Sequence, residues 1–447
     1  MRVNSAHKHR RRGARASLAL AVAAAAAVAG CATGSAATAS GPLQVWVRGA
    51  TDSAKAYQAI FSAFTKKTGI KVSMFSTLTD FETKLNAAAA AHNLPDVVID
   101  DAAQLGAFQS QGILQPVDRS AITGSDEVTS LAWDSARGSD GKFYAVPFSA
   151  QADLLFERTD WAHKLGLKPP TDWAGIVSTA QAFTHGNPTG NRSVHTYGLT
   201  VPGSTTRGYV SWFWTTFLYQ AGGQYFTQTR PGKYVPAIDS PQAVQAAQWF
   251  ENLFCTDKVV QPGALNDLTT DANKAFETGL TGLYLTGPYA FATFDASPVQ
   301  GKFTAMAPPP GVANADTLAE GTNIYLMAGS KRTDEATRLA EFLITPQAQQ
   351  LGMTAVPAAT VVRLSVDKTV NTAAIHHNDP RWVLEEHEYT QHGRYEPDYM
   401  PDWEVYRQDT SDALNKMLAQ CSSPATTLKA LATQYTTLLK QQGVFGG

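Results

Sequence analysis

The chain has 447 residues, with 36 basic and 38 acidic residues, a formal charge of −2 and a 44% hydrophobic composition. The first thirty residues hold six basic residues and no acidic one, so without them 30 basic face 38 acidic and the charge is about −8, which leaves no basic footprint for nucleic acid. The remainder carries no second apolar run of membrane length and is long enough to build two cores.

Arg2, Lys8, Arg10, Arg11, Arg12 and Arg15 precede an apolar run from Leu18 to Ala29. Its twelve residues fall short of the roughly twenty that a bilayer-spanning helix requires, so residues 1–30 read as a removable export signal. Val28-Ala29-Gly30-Cys31 resembles the bacterial lipobox, which makes Cys31 the expected lipidated N-terminus; an ordinary signal with a chance cysteine is the alternative. Residues 31–41 are small and polar and predict a flexible tether. The expected location is the outer face of the cell membrane, anchored through Cys31. Cys255 and Cys421 would then mature where disulfides form. A bridge and two buried thiols both remain open, because spacing in sequence does not give a Cα separation.

In chain order, Leu43 to Val47 reads as a strand, and Tyr57, Ile60, Phe61 and Phe64 recur at helical spacing within Ala54 to Lys67, with Gly69 as the stop. Ile70 to Phe75 alternates as a strand, Phe81 to Ala91 is helical, and Val97-Val98-Ile99 is a short apolar strand ending at Asp100-Asp101. This alternation predicts an α/β lobe with a largely parallel sheet. Phe143 to Phe148 and Leu154 to Phe156 are further strands, and Thr171 or Asp172 caps a helix. Tyr209 to Tyr219, Pro241 to Phe254, Ala272 to Glu277, Thr333 to Phe342, Ser411 to Leu418 and Pro424 to Leu439 are helical. Pro308-Pro309-Pro310-Gly311 marks a crossing or boundary.

Several of these segments together resemble one family. They are Phe64 to Val72, Leu94-Pro95-Asp96-Val97-Val98-Ile99, Gly112 to Asp118, Gly141 to Pro147, Pro169 to Trp173, Gly287-Pro288-Tyr289-Ala290 and Ala336 to Gln350. In this order they are similar to the extracellular solute-binding proteins of ATP-driven importers, in the branch that includes maltose-binding protein. The resemblance covers residues 43–440 and implies an α/β, two-lobe periplasmic-binding-protein-like fold (class II), with hinge-connected lobes and a ligand cleft between them. Lobe 1 is expected over 42–148 and 316–356, and lobe 2 over 149–315 and 357–447. The implied function is capture of a carbohydrate, whether disaccharide, amino sugar or oligosaccharide, by a monomer that hands it to membrane permease subunits. Glu320-Gly321-Thr322-Asn323 departs from the Gly-Gly pair that many members carry.

Sugars offer apolar ring faces and a rim of hydroxyls, so a site for them needs aromatic platforms and paired polar groups. Trp212 and Trp214 are two apart on a helix, roughly 200° around the axis, and cannot face one cleft together. Trp212 and Tyr289 are the platforms that the resemblance selects, with core packing as the alternative. Asp100 and Asp101 end a strand where ligands of open α/β sheets bind, and one of them is expected to accept hydroxyls. Arg48 and Gln151 fall at family positions that supply polar contacts. Gly321 and Asn323 are expected on a loop after the prolines, and Arg394 in a segment that lines the cleft. Arg394 also carries the alternative ligand, a glycerophosphodiester or glycerol 3-phosphate, since a guanidinium forks onto phosphate; a surface ion pair with Glu396 or Asp398 competes with that role.

No catalytic residue, metal or cofactor is expected. The carboxylates Asp100-Asp101 and Glu385-Glu386 form no glycosidase motif, so a secreted glycoside hydrolase is the least favoured reading. His387 and His392 are five apart rather than four, which rotates the second away and breaks the zinc-protease pattern. A polar solvated helix or loop accounts for that cluster.

Overall fold

Along strand Leu43–Arg48, Leu43, Val45 and Val47 are buried and Gln44 is exposed, the period of two of a pleated strand. Helix Thr51–Thr68 turns Tyr57, Ile60, Phe61 and Phe64 inward and stops at Gly69, whose φ of 78° carries no Cβ penalty for glycine. The computed structural model describes residues 41–357 and 359–447. The expected signal, Cys31 and residues 32–40 of the tether lie outside the described residues.

Two sheets organise the body. The larger runs in the order Leu364–Ser365, Val146–Ala152, Thr317–Leu326, Val97–Asp101, Leu43–Arg48, Val72–Thr77, and Gly393–Tyr395 pairs with Thr317–Leu326 as well. Leu43–Arg48 is parallel to both neighbours, as the strand-helix alternation predicts. The sheet is nevertheless mixed, because Thr317–Leu326 returns antiparallel to both Val97–Asp101 and Val146–Ala152. The smaller sheet runs Phe303–Met306, Leu154–Arg158, Thr281–Thr286, Tyr197–Thr200. Its core is aromatic: Phe156 meets Phe291 and Phe294, and Phe276 meets Phe294.

The chain passes from the larger sheet to the smaller at Asp153, the single residue between strands Val146–Ala152 and Leu154–Arg158. It returns between Met306 and Thr317, through the proline run. After helix Pro380–His392, strand Gly393–Tyr395 touches the larger sheet. Helices Trp403–Gln420 and Pro424–Gln441 then pack on Tyr209–Gln220 and Pro241–Cys255.

Strand Thr317–Leu326 corrects the sequence reading. Gly321 and Asn323 belong to this central strand and not to a loop. Its polar middle, Glu320 to Asn323, hides the apolar pattern by which a buried strand is recognised. Gly321 is required there by close approach, since a Cβ would come 2.8 Å from the Ser149 carbonyl oxygen.

Cys255, the last residue of helix Pro241–Cys255, is bonded to Cys421, which follows helix Trp403–Gln420, with Cα atoms 5.7 Å apart. The bridge spans a sequence separation of 166, and closing a loop of that order removes unfolded-state entropy worth about 5 kcal/mol, of which disulfides typically deliver about 2–4 kcal/mol. The double variant C255S/C421S is therefore expected to lose about 2–4 kcal/mol in urea unfolding. A loss too small to resolve would show that the bridge does not constrain the unfolded chain.

Candidate functional site

Strands Leu43–Arg48 and Val97–Asp101 run parallel, so their carboxyl ends bring Arg48 and Asp101 to one edge of the larger sheet, where α/β sheets bind ligands. Arg48 Nη1 lies 3.0 Å from Asp101 Oδ2, and Arg48 Nε lies 3.4 Å from Glu82 Oε1 in the first turn of helix Phe81–Ala90. Arg207, in the turn Thr206–Gly208 after the smaller sheet's strand Tyr197–Thr200, pairs with the same two carboxylates. Its Nη2 is 3.1 Å from Asp101 Oδ2, and its Nη1 contacts Glu82 Oε1 directly. Two guanidiniums and two carboxylates thus close a ring of charge between segments that belong to different sheets. Arg207 sits at φ 54° and ψ 16°, a left-handed conformation that costs a non-glycine residue about 1–3 kcal/mol and collects at functional sites.

Beside this ring is a chamber of about 170 Å³. A groove of about 910 Å³ continues from it through shared residues, among them Arg48, Arg207, Tyr289 and Arg363. Of the residues singled out in the sequence, Arg48, Asp101, Gln151, Trp212, Tyr289 and Gly321 all line the chamber. Trp212 does so from helix Tyr209–Gln220 while Trp214, on the opposite side, is fully buried, as the 200° argument requires. Tyr289 hydrogen-bonds Thr286 through its hydroxyl at 2.5 Å. A Cβ on Gly287 would press within 2.9 Å of the Tyr289 ring, so the Gly-Pro before the tyrosine makes room for it.

The other three lie elsewhere. Asp100 turns to the opposite face of its strand from Asp101 and is 1% exposed. Burial, reinforced by the neighbouring Asp101 charge, raises its carboxyl well above the usual range. Burial also opposes the charge on Asp101, but Arg48 and Arg207 outweigh it and hold that carboxyl below its ordinary value. Asn323 is wholly buried, donating to the Ser135 carbonyl at 2.9 Å and accepting from the Ser135 hydroxyl at 3.2 Å. Arg394 lies with its guanidinium carbon 4.0 Å from the Tyr219 ring centroid and its Nη1 3.6 Å from Asp316. That placement differs from a pairing with Glu396 or Asp398.

Sequence reasoning missed four charged residues of the chamber: Arg207, Glu320, Arg363 and Arg407. Arg407 pairs with the buried Glu396, which also accepts from Thr215 at 3.0 Å and Trp403 at 3.2 Å. Arg363 has no carboxylate within ion-pair distance among the described residues, and its Nε is buried without a partner there. A lone charge inside the apolar run Val361-Val362-Arg363-Leu364 was the available signal. Glu320 accepts from Gln151 Nε2 at 2.8 Å.

The family model for the bacterial extracellular solute-binding proteins matches residues 50–350 of the chain. The chain belongs to that family. This solute-binding protein is 30% identical over 242 residues to an ABC transporter-binding protein of Deinococcus radiodurans, covering 52% of this chain and 54% of that one. Binding proteins of Brucella abortus are 25% identical over 265 residues, so the match spans 58% of this chain and 61% of theirs. Among solved structures, a Thermotoga lettingae ABC transporter solute-binding protein bound with α-D-tagatose superposes with a TM-score of 0.77 at 21% identity, covering 90% of this chain and 100% of that one. The acarbose-binding GacH receptor of Streptomyces glaucescens gives 0.76 at 21% identity, with 90% and 99% covered. These likenesses show a two-lobe, maltose-binding-protein-like fold, as the order of motifs implies. The family and its structural neighbours are binding proteins.

Burial pushes the Glu320 carboxyl up to about 6 from 4.5, with Arg407 pulling the other way. The folded chain therefore holds this proton more tightly than the unfolded chain. The associated stability is fully present below pH 4.5 and is lost as pH rises through about 6. E320Q removes this titration. Thermal melts from pH 4.5 to 7 are expected to show the wild type losing on the order of 2 kcal/mol relative to E320Q. Parallel curves would refute the assignment.

Proposed function

We propose that this solute-binding protein is the receptor of an ATP-driven importer and captures a carbohydrate between its two lobes. One observation carries the reading: Trp212 and Tyr289 line the same chamber as Arg48, Asp101, Gln151 and Glu320. Aromatic faces beside charged donors and acceptors match the apolar faces and hydroxyl rim of a sugar. The ligands named for the structural neighbours, tagatose and acarbose, favour the same class.

In this reading the lobes are built on the two sheets, and contacts from both to the ligand shift an open-closed equilibrium toward the closed form that permease subunits recognise. The shift is limited by the ligand's differential affinity for the two forms. The signal 1–30 is removed, and a monomer stays on the outer face of the cell membrane through lipidated Cys31. No chemistry on the ligand is involved.

A thermal-shift panel of mono-, di- and oligosaccharides with glycerophosphodiesters tests the reading directly. A true ligand at a hundred times its Kd stabilises the fold by about 2.7 kcal/mol and is recovered unchanged by chromatography. Trp212→Ala and Tyr289→Ala are each expected to weaken that ligand at least tenfold, about 1.4 kcal/mol. If no carbohydrate shifts the melting curve at millimolar concentration, or if product appears, the receptor reading fails.

A further inference from the structure

Helix Pro380–His392 carries a cluster that cleft binding does not use. The spacing of His387 and His392 predicts imidazoles that point apart, yet the structure brings them together. His387 Nδ1 lies 3.2 Å from Glu388 Oε1, the two imidazole centroids are 5.9 Å apart, and one ligand atom from each of His387, Glu388 and His392 lies within 4.8 Å of the other two. Glu388 and His392 are four apart and share a face. His387 precedes Glu388 and leans its ring onto the carboxylate. His392 is the last helical residue, since Gly393 leaves at ψ 128°, so its imidazole is not held by a following turn.

Glu388 is 3% exposed, and its hydrogen-bond partner among the described residues is His387, whose side chain is 60% exposed. Among the described residues no Lys or Arg pairs with this buried carboxylate, and buried charge is accommodated by pairing or by metal coordination. The helix C-terminus adds negative potential at the same place. Two nitrogens and one carboxylate oxygen form a donor set of the borderline kind that zinc prefers. Bonds of about 2.0–2.2 Å to a tetrahedral ion separate neighbouring donors by about 3.4 Å; the His387–Glu388 pair, at 3.2 Å, already has that spacing, and His392 stands within 4.8 Å of both.

We propose that His387, Glu388 and His392 bind a zinc-class divalent cation, with water completing its coordination. The next residues, Gly393–Tyr395, pair with Thr317–Ala319 of the strand by which the chain returns to the larger sheet. A bound ion would therefore pin the end of a helix at a passage between the sheets. The inference does not depend on what occupies the chamber.

The test is calorimetric titration of the untagged, disulfide-bonded protein with ZnCl2 in a non-chelating buffer at pH 7.5, alongside His387→Ala, His392→Ala, Glu388→Gln and His377→Ala. The expected result is one equivalent bound, at least tenfold weaker binding in H387A and H392A, weaker binding in E388Q, and no change in H377A. Circular dichroism melts check that each variant is folded, and because His387 is largely exposed its substitution tests the site without disturbing the core. Calcium at equal concentration is expected not to compete. Binding retained in the H387A/H392A double variant, or no binding by the wild type, overturns the proposal.

Discussion

Arg207 reaches from the smaller sheet's side onto Glu82 and Asp101 of the larger sheet's side, and the geometry of the chamber depends on that contact. Arg48 pairs with the same two carboxylates, so each charge in the ring has two partners of opposite sign. Side-chain exposures of 15% for Arg48, 17% for Glu82 and 21% for Arg207 place most of the ring away from bulk water, where an unpaired charge would be expensive. The arrangement is therefore sensitive to alignment: separating the sheets strips Arg207 of both carboxylates and leaves Glu82 and Asp101 to Arg48 alone. It also spends the charges of four side chains on one another, leaving Arg363, Gln151 and Glu320 as polar groups with spare capacity facing the chamber.

A second layer of buried charge supports this one. Glu396 gathers Arg407, Trp403 and Thr215, fixing the helix Trp403–Gln420 against Tyr209–Gln220, the helix that carries Trp212. Gln151 and Glu320 face each other from adjacent antiparallel strands, where they are register partners. The position of Glu320 is thus set by strand pairing rather than by side-chain packing. Tyr289 is seated by its hydrogen bond to Thr286 at the end of strand Thr281–Thr286. Each polar group of the chamber stands on a regular element or at its end, which is how a rigid scaffold holds groups at hydrogen-bonding precision.

Much of the fold was legible because it rests on local periodicity. The strand-helix-strand opening, the Asp172 cap that accepts from Gly175, and the helices Pro241–Cys255 and Thr333–Leu343 all follow from patterns that neighbouring residues write into one another. Within the candidate site, Asp101 was expected because it ends a strand, whereas Arg48, Trp212 and Tyr289 were selected by the resemblance to the family; all four line the chamber. Strand Thr317–Leu326 was not legible, because its inward face toward the chamber is polar for the same reason that the chamber can bind.

What the sequence by itself determined is therefore the succession of elements, the anchor-like leader pattern and the kinds of residue available to a cleft, since these depend on spacings of two to four residues. Tertiary structure alone decided which of Asp100 and Asp101 faces the chamber, that Arg394 stacks on Tyr219 instead, that Cys255 meets Cys421, and that His387 and His392 converge. In most of these cases the partners are far apart in the chain, and their meeting is settled by sheet register and helix packing, which no local pattern encodes. The histidines are the exception: they stand five apart on one helix, and their side chains approach although the backbone rotation sets them apart.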